Sequence, residues 1–285
     1  MRFSINLRIA QRWWHSWQLS RSVVKPRRMV HHDFRSRGRL RGRDLFEAAA
    51  LALLVGLLLK LLVVDFCRVP SGSMMPTLLP GDHVVVSRAA YAVGLPERLP
   101  FISVWLPVEL RLWYRFPKRW DVIVIDFPGR PGQARPDTPQ YYIKRVVGLP
   151  GDTLRFSGDT LIINRVAYWL PGLREPLRNL VVPYRGMTVP LSVASAAEWL
   201  PLVLRDGAQA EVRQDGVYIN GQPAQSYVVR HDYVFVMGDN YRTSWDSRSW
   251  GVVPQGAIVG KAILVYYSRS EDGHTRWNRI GRFLY

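Results

Sequence analysis

The chain has a single cysteine in 285 residues, Cys67, so no intrachain disulfide can form and the fold must hold by burial alone. It has only six histidines. His15, His31 and His32 lie among arginines, and none of the six takes metal-ligand spacing with a second cluster. No phosphate-cradling glycine loop is present, because "SGDT" and "GDN" are too short to count. Neither a metal nor a cofactor is therefore expected. Sustained helical periodicity is missing after Val64, whereas 20 prolines and 22 glycines are scattered throughout. That points to a turn-rich body with little helix. The length suits one large domain or two modest ones.

Acidic residues are scarce, 22 against 39 basic ones, but the imbalance is local. Met1 to Arg43 carries twelve Lys/Arg and one Asp, while the remaining 242 residues carry 27 and 21. A basic stretch directly before an apolar run is what the cytoplasmic flank of a membrane helix shows. It also attracts anionic lipid. Trp13, Trp14 and Trp17 within it fit an interfacial segment. A nucleic-acid or partner-binding arm is the competing reading of such a charge run.

The apolar run "LFEAAALALLVGLLLKLLVV", Leu45 to Val64, is about as long as a bilayer core requires. Twelve uncharged residues separate Glu47 from Lys60, and both charges lie near the ends, where they can reach the interface. The alternative is a buried core helix. A cleavable leader does not fit, since the run starts too far from the N-terminus and no small-residue cleavage site follows. The basic flank orients the span with its N-terminus in the cytoplasm and everything after Val64 outside it.

Beyond the span, "HVVVSR", "DVIVIDFP", "YYIKRVVG", "GVYIN", "DYVFVMGD" and "AIVGKAILVYY" are short β-branched runs between turn signals. They predict a mainly β, antiparallel sheet or partly open barrel. "FISVWLPVELRLW", Phe101 to Trp113, is apolar but too short to span, and is either core or a patch that touches lipid. The expected organisation is a basic segment, 1–43, and a membrane helix, 44–64. A catalytic β domain follows over 65–152 and 231–285, with an inserted β subdomain over 153–230.

Three stretches carry possible chemistry. "VPSGSMMPTLLPGD" sets Ser71 and Ser73 on a Pro/Gly turn with no histidine beside them. A serine hydroxyl needs a base. Lys144, mid-strand in "YYIKRVVGLPGD", could supply one if burial lowers its pKa, although strand alternation also allows a solvated edge lysine. "MGDNYRTSWDSRSWG" holds Asp239, Asn240, Ser244, Asp246 and Arg248, either as a polar loop with an exposed ion pair or as a cluster that orients an amine.

In order, "PSGSMMPTLLPGD", "RWDVIVIDFP", "YYIKRVVGLPGD" and "GDNYRTSWDSR" resemble the bacterial type I signal peptidases, membrane-bound serine–lysine proteases that remove secretory leader peptides. The resemblance implies Ser73 as nucleophile and Lys144 as general base. It implies an oxyanion hole from the Ser71 hydroxyl and the Ser73 backbone N–H. Ser244 would hydrogen-bond the lysine, with Asp246 and Arg248 as a supporting ion pair. Met74, Leu78, Tyr142 and Ile143 would line shallow substrate pockets, with Cys67 and Val69 on the approach to the turn. Preproteins bearing signal peptides are the implied partners, cut after small residues. Membrane lipid is a second partner, nucleic acid is not one, and a monomer is expected. The implied location is the bacterial inner membrane, single-pass, with the catalytic domain on the periplasmic side.

The family usually has Arg-Asp-Asn after "GDN", where this chain has Tyr241, Arg242 and Thr243. Substrate range therefore stays open between a general peptidase and one dedicated to a single secretion or conjugation system. A self-cleaving serine–lysine regulator would need a helix-turn-helix and no span. An inactive membrane-anchored binding module would not need Ser73 and Lys144.

Overall fold

The computed structural model describes residues 42–94, 98–99, 102–105, 111–130 and 140–285. The expectations for Met1 to Arg41, and for Phe101 and residues 106–110 of the apolar insert, lie outside the described residues.

Helix α1, Gly42–Leu62, is built from leucine and alanine, which are strong helix formers. Asp44 in its first turn and Lys60 in its last complement the helix dipole. Arg43 Nε donates to Glu47 Oε1 at 2.7 Å across one exposed turn. Side chains from Gly42 to Lys60 are exposed all round. Charge at both ends interrupts the apolar stretch, and among the described residues no helix is long and apolar enough to cross a membrane.

An open antiparallel sheet follows. Its strands are β1 (Val64–Arg68), β2 (Asp82–Ser87), β3 (Val122–Asp126), β4 (Tyr141–Gly148), β9 (Tyr233–Met237), β10 (Val253–Pro254), β11 (Ile258–Ser268) and β12 (Arg282–Phe283). The order across the sheet is β1-β2-β11-β3-β4-β9-β10, with β12 also paired to β11. β2 shows the period-2 pattern of a strand half in the core, with Val84 and Val86 buried. β3 and β9 are buried on nearly every residue, as expected of central strands with both faces covered.

Between β4 and β9 lies a second, four-stranded sheet of β5 (Thr153–Gly158), β6 (Thr160–Ile163), β7 (Val166–Trp169) and β8 (Glu175–Val181), in the order β7-β6-β5-β8. Leu154, Phe156, Leu161 and Ile163 form its buried face. This region also holds helix α2, Ala196–Arg205, one short helix in a body expected to carry little helix. The signal was short, only ten residues, and Pro201 interrupts it. Helix α2 persists because Ala196, Leu202 and Val203 fall on one face and are buried in the core shared with β5, β6 and β9.

Candidate active site

The turn that carries Ser73 is closed at its base by two backbone bonds. Val69 N donates to Asp82 O at 2.8 Å and Gly81 N donates to Val69 O at 2.9 Å. Gly81 has φ +88°, and a Cβ there would lie 1.9 Å from Arg269 O, so the closure requires glycine. Arg279 grips Asp82 with Nη2 at 2.6 Å from Oδ2 and also donates to Thr77 O at 2.9 Å. Burial would raise the Asp82 carboxyl, but the bonds from Arg279, Ser268 and Leu79 outweigh it and hold the group below its usual range. Met74 and Leu78 point inward at 1% and 0% exposure and anchor the turn to the core. Ser73 is left half-buried on a single 3₁₀ turn, Gly72–Met74.

Lys144 is paired in register with Ile123 of β3, while the β9 pairing begins only at the next residue, Arg145. It is 2% exposed, so the solvated reading fails on burial and not on its place in the sheet. Tyr142 and Val146, on the same face by alternation, pack with Ile123, Ile125, Val236 and Trp250. Lys144 Nζ lies 2.8 Å from Ser73 Oγ. Burial pushes the amine down from 10.5 to about 8, against a smaller upward pull from the Asp246 charge.

The segment after β9 holds both parts. Asn240 N donates to Ser73 O at 3.0 Å, and Asn240 Nδ2 donates to Gly72 O at 3.2 Å. Asp246 is fully buried and accepts from Gly238 N at 3.0 Å, so it ties the start of this loop to its end. It also caps the short helix α3, Ser247–Trp250, by accepting from Arg248 N at 3.1 Å. The Arg248 guanidinium meets both Asp246 oxygens at 2.9 Å and reaches Glu175 Oε1 at 2.9 Å. The Asp246–Arg248 pair is thus buried, not an exposed surface bridge.

A buried lysine bonded to a serine hydroxyl, with no carboxylate in contact, is an arrangement for proton abstraction rather than for an ion pair. A family model described as "Signal peptidase, peptidase S26" matches residues 42–267. The chain belongs to the signal peptidase family, peptidase S26. A signal peptidase I of Pseudomonas aeruginosa is 32% identical over 229 residues, covering 76% of this chain and 69% of that one. One from Pseudomonas fluorescens is 34% identical over 232 residues, covering 77% and 70%. One from Aquifex aeolicus is 28% identical over 242 residues, covering 76% and 81%. Membership makes the chain a serine endopeptidase that removes signal peptides from preproteins.

Against the residues that the signal peptidase resemblance implied, the structure brings together Ser73, Lys144, Asp246 and Arg248. Ser71 precedes the 3₁₀ turn in extended conformation, exposed, and its side chain makes no capping bond. Ser244 departs from expectation. Its Oγ is buried without a hydrogen-bond partner, so the implied bond to Lys144 is not formed. Its own backbone is drawn the other way, with Ser244 N donating to Asn240 O at 3.0 Å. The expected pocket divides into two. Val69, Met74, Leu78 and Ile143 share one apolar cluster with Cys67 against it, whereas Tyr142 belongs to the cluster on the opposite face. Met74 and Leu78 are closed core residues here, because they pack on Val84, Val86 and Val122. Burial, and then the Asp65 charge, push the Cys67 thiol up to about 11, which leaves it an inert wall group.

Sequence reading missed Asn240 as the clamp on the Ser73 turn. It also missed the fork from Arg145 Nε and Nη2 to the two Asp239 oxygens, both at 2.7 Å. The only available signal was position, since "GDN" follows a strand and Arg145 neighbours the lysine. Nothing local pairs residues 94 apart.

Proposed function

We propose that signal-peptide removal is carried out here by Ser73 as nucleophile and Lys144 as base. The 2.8 Å contact between Nζ and Oγ, made by a lysine that is 2% exposed, carries this reading. Ser73 Oγ attacks the scissile carbonyl carbon as its proton passes to the neutral Lys144 amine. The developing oxyanion takes hydrogen bonds from the Ser73 N–H and the Ser71 hydroxyl. The intermediate collapses, and the new mature amino terminus leaves with the proton from Lys144. The leader remains as an ester on Ser73. Water, giving its proton to Lys144, then releases the leader carboxylate and restores the hydroxyl. Asp246 and Arg248 hold the loop that carries Asn240, and so position the turn.

Substrate docking is proposed along β4. The last register pair with β9 is Met237 with Arg145, so Tyr141 to Lys144 has a neighbouring strand only on the β3 side. An extended segment added to that edge would gain main-chain bonds beside Ser73. Ile143, Tyr142 and Cys67 would border small pockets for alternate side chains, favouring small residues before the cut.

The same reading places α1 as a membrane anchor. Leu51, Leu53, Leu54, Val55, Leu57, Leu58 and Leu59 are all exposed, an all-round apolar surface that a water-facing helix does not carry. Glu47 and Lys60 would snorkel to opposite interfaces and extend the apolar length. The basic residues before Gly42 put the N-terminus in the cytoplasm and the sheet on the periplasmic side. Division into a basic segment, an anchor, a catalytic β domain and an inserted 153–230 subdomain goes with this topology, as does a monomeric state. Resistance of the protein to alkaline extraction from membranes, lost in Leu54→Arg/Leu57→Arg, tests the anchor.

The function is tested by cleavage of a leader-bearing precursor by the purified full chain in detergent. Ser73→Ala and Lys144→Ala are each expected to reduce kcat by at least about 10³-fold. Wild-type rates from Lys144→Ala would refute the reading.

A further inference from the structure

Resting on the reading of Ser73 and Lys144 above, a second feature beside the nucleophile has a place in the reaction. A cleft of about 780 Å³ is lined by Met75, Thr77, Arg145, Asp239, Tyr241 and Arg242, among others. Neither member of the reacting pair lines it, nor does any residue expected to bind substrate. It is nonetheless joined to them. Met75 and Thr77 follow Ser73 by two and four positions. Asn240, also in its wall, is the residue that holds the carbonyls of Ser73 and Gly72.

Direction along β4 decides what the cleft faces. Tyr142 and Ile143 precede Lys144, and Arg145 follows it. A substrate strand laid on the open edge of Tyr141 to Lys144 cannot continue beside Arg145, where Met237 of β9 already pairs. A chain that runs past Ser73 must leave the sheet at that point, and the cleft begins there.

The position of its charges decides what it prefers. Asp239 is held by both Nε and Nη2 of Arg145, so that pair offers no net charge. Asp159, also in the wall, accepts from the backbone N–H of Arg174 at 2.9 Å and keeps its negative charge, so any preference for an acid rests on the position of Arg242 and not on the net charge of the cleft. Arg242 is exposed and makes no ion pair within 4 Å among the described residues. It lies against Gly172, where a Cβ would come 3.0 Å from its Nε, so the glycine makes room for the guanidinium. Arg242 also stands at the centre of the Tyr241–Thr243 departure, where the resemblance leads one to expect a carboxylate. We infer that this cleft binds the first residues of the mature chain, downstream of the cut, and that Arg242 selects a carboxylate side chain there.

The test uses three precursors identical up to the cleaved bond, with Asp, Asn or Lys at the second to fourth positions after it. They are cleaved by the full chain in detergent. The ratio of kcat/KM for Asp over Asn is expected to be about two- to five-fold at low salt, the range of a solvent-facing ion pair. It should shrink as salt is added. Arg242→Gln should bring the ratio near one, and Arg242→Glu should reverse it in favour of Lys. Each variant is normalised to its own rate on the Asn precursor, so a change in folded fraction cancels. Equal rates on all three precursors, or an acid preference surviving both substitutions, would overturn the inference. Failure of the wild type to cut the Asn precursor, or cutting that survives Ser73→Ala, would instead overturn the Ser–Lys reading beneath it.

Discussion

Residues 153–230 and the sheet on either side of them in sequence hide different chemistry from water. Nine polar or charged residues are buried among those described, and eight of them lie in 65–152 and 231–285. The ninth, Asp206, is the only one in 153–230, where it accepts from Tyr227, Tyr233 and the backbone of Arg230. The intervening region is thus held by alternating apolar faces. The flanking sheet is held in addition by charge pairs between distant segments, such as Asp82 with Arg279 and Asp121 with Lys261. Burying charge is expensive unless it is paired. Two buried pairs, Asp82 with Arg279 and Asp246 with Arg248, brace the Ser73 turn and the loop that clamps it.

Lys144 breaks that pattern. Arg279, Arg248, Arg145, Arg119 and Lys261 each meet a carboxylate, whereas Lys144 meets a hydroxyl. Adjacent residues therefore titrate in opposite directions. Burial alone would lower the Arg145 guanidinium, but Asp239 outweighs it and the group is raised; burial lowers Lys144 to about 8. The largest expected effect follows from removing this exception. Lys144→Met should cut kcat by at least about 10³-fold. It should also stabilise the fold near neutral pH. The gap between 10.5 and about 8 corresponds to about 3 kcal/mol. For a cation whose folded pKa is depressed, the unfolded chain binds more protons between these values. The penalty is full below about 8 and fades as pH rises towards 10.5. Denaturant titration of Lys144→Met should show a gain of about 2–3 kcal/mol at pH 7 that shrinks at pH 10, less any loss of packing. In the wild type, the rate should fall about tenfold per pH unit below about 8 as the base is protonated.

A smaller effect is expected from the loop that clamps the turn. A Cβ on Gly238 would lie 2.2 Å from Ser244 Oγ and 2.4 Å from Ser73 O. Gly238→Ala should therefore displace Ser73 while leaving Lys144 buried, with a loss of about 10²-fold in kcat from misplacement alone if Ser73 is the nucleophile. The acid limb of its pH profile should stay where the wild type has it, and a displaced limb would show that the lysine had been exposed.

Much of this was legible in advance, and the pattern of what was not has a physical cause. The runs that became β2, β3, β4, β9 and β11 read as strands because β-branched residues and turn signals are local. Ser73 and Lys144 could be picked out once their blocks were seen in order. The surroundings of Lys144 could not be read locally, because Ser73 lies 71 residues before it and the loop with Asp239, Asp246 and Arg248 far after it. The Arg145–Asp239 fork and the Asp82–Arg279 brace, 94 and 197 residues apart, were equally invisible. Helix α2 was lost to its proline and its brevity.

A subtler shift is expected from the ion pair behind the site. Asp246 raises the Lys144 pKa and Arg248 lowers it. Asp246→Asn should move the acid limb of the rate to lower pH, and Arg248→Met should move it higher. Both will lose stability, since each leaves a buried partner uncompensated. Opposite movement of the two limbs is the diagnostic, and movement in the same direction would mean that the loop, not the charge, had changed.

The smallest effect belongs to Ser244. Its Oγ is buried with no partner, so deleting it removes an unsatisfied group and should change stability by less than about 1 kcal/mol, in the favourable direction. Because the amine is already engaged by Ser73, Ser244→Ala should cost less than about tenfold in kcat/KM on a leader-bearing precursor. A loss matching that of Lys144→Ala would mean that substrate binding turns this hydroxyl onto the amine. The lysine would then be oriented by two serines rather than one during catalysis, and the contrast between a paired arginine and a singly bonded lysine would hold only in the unliganded enzyme.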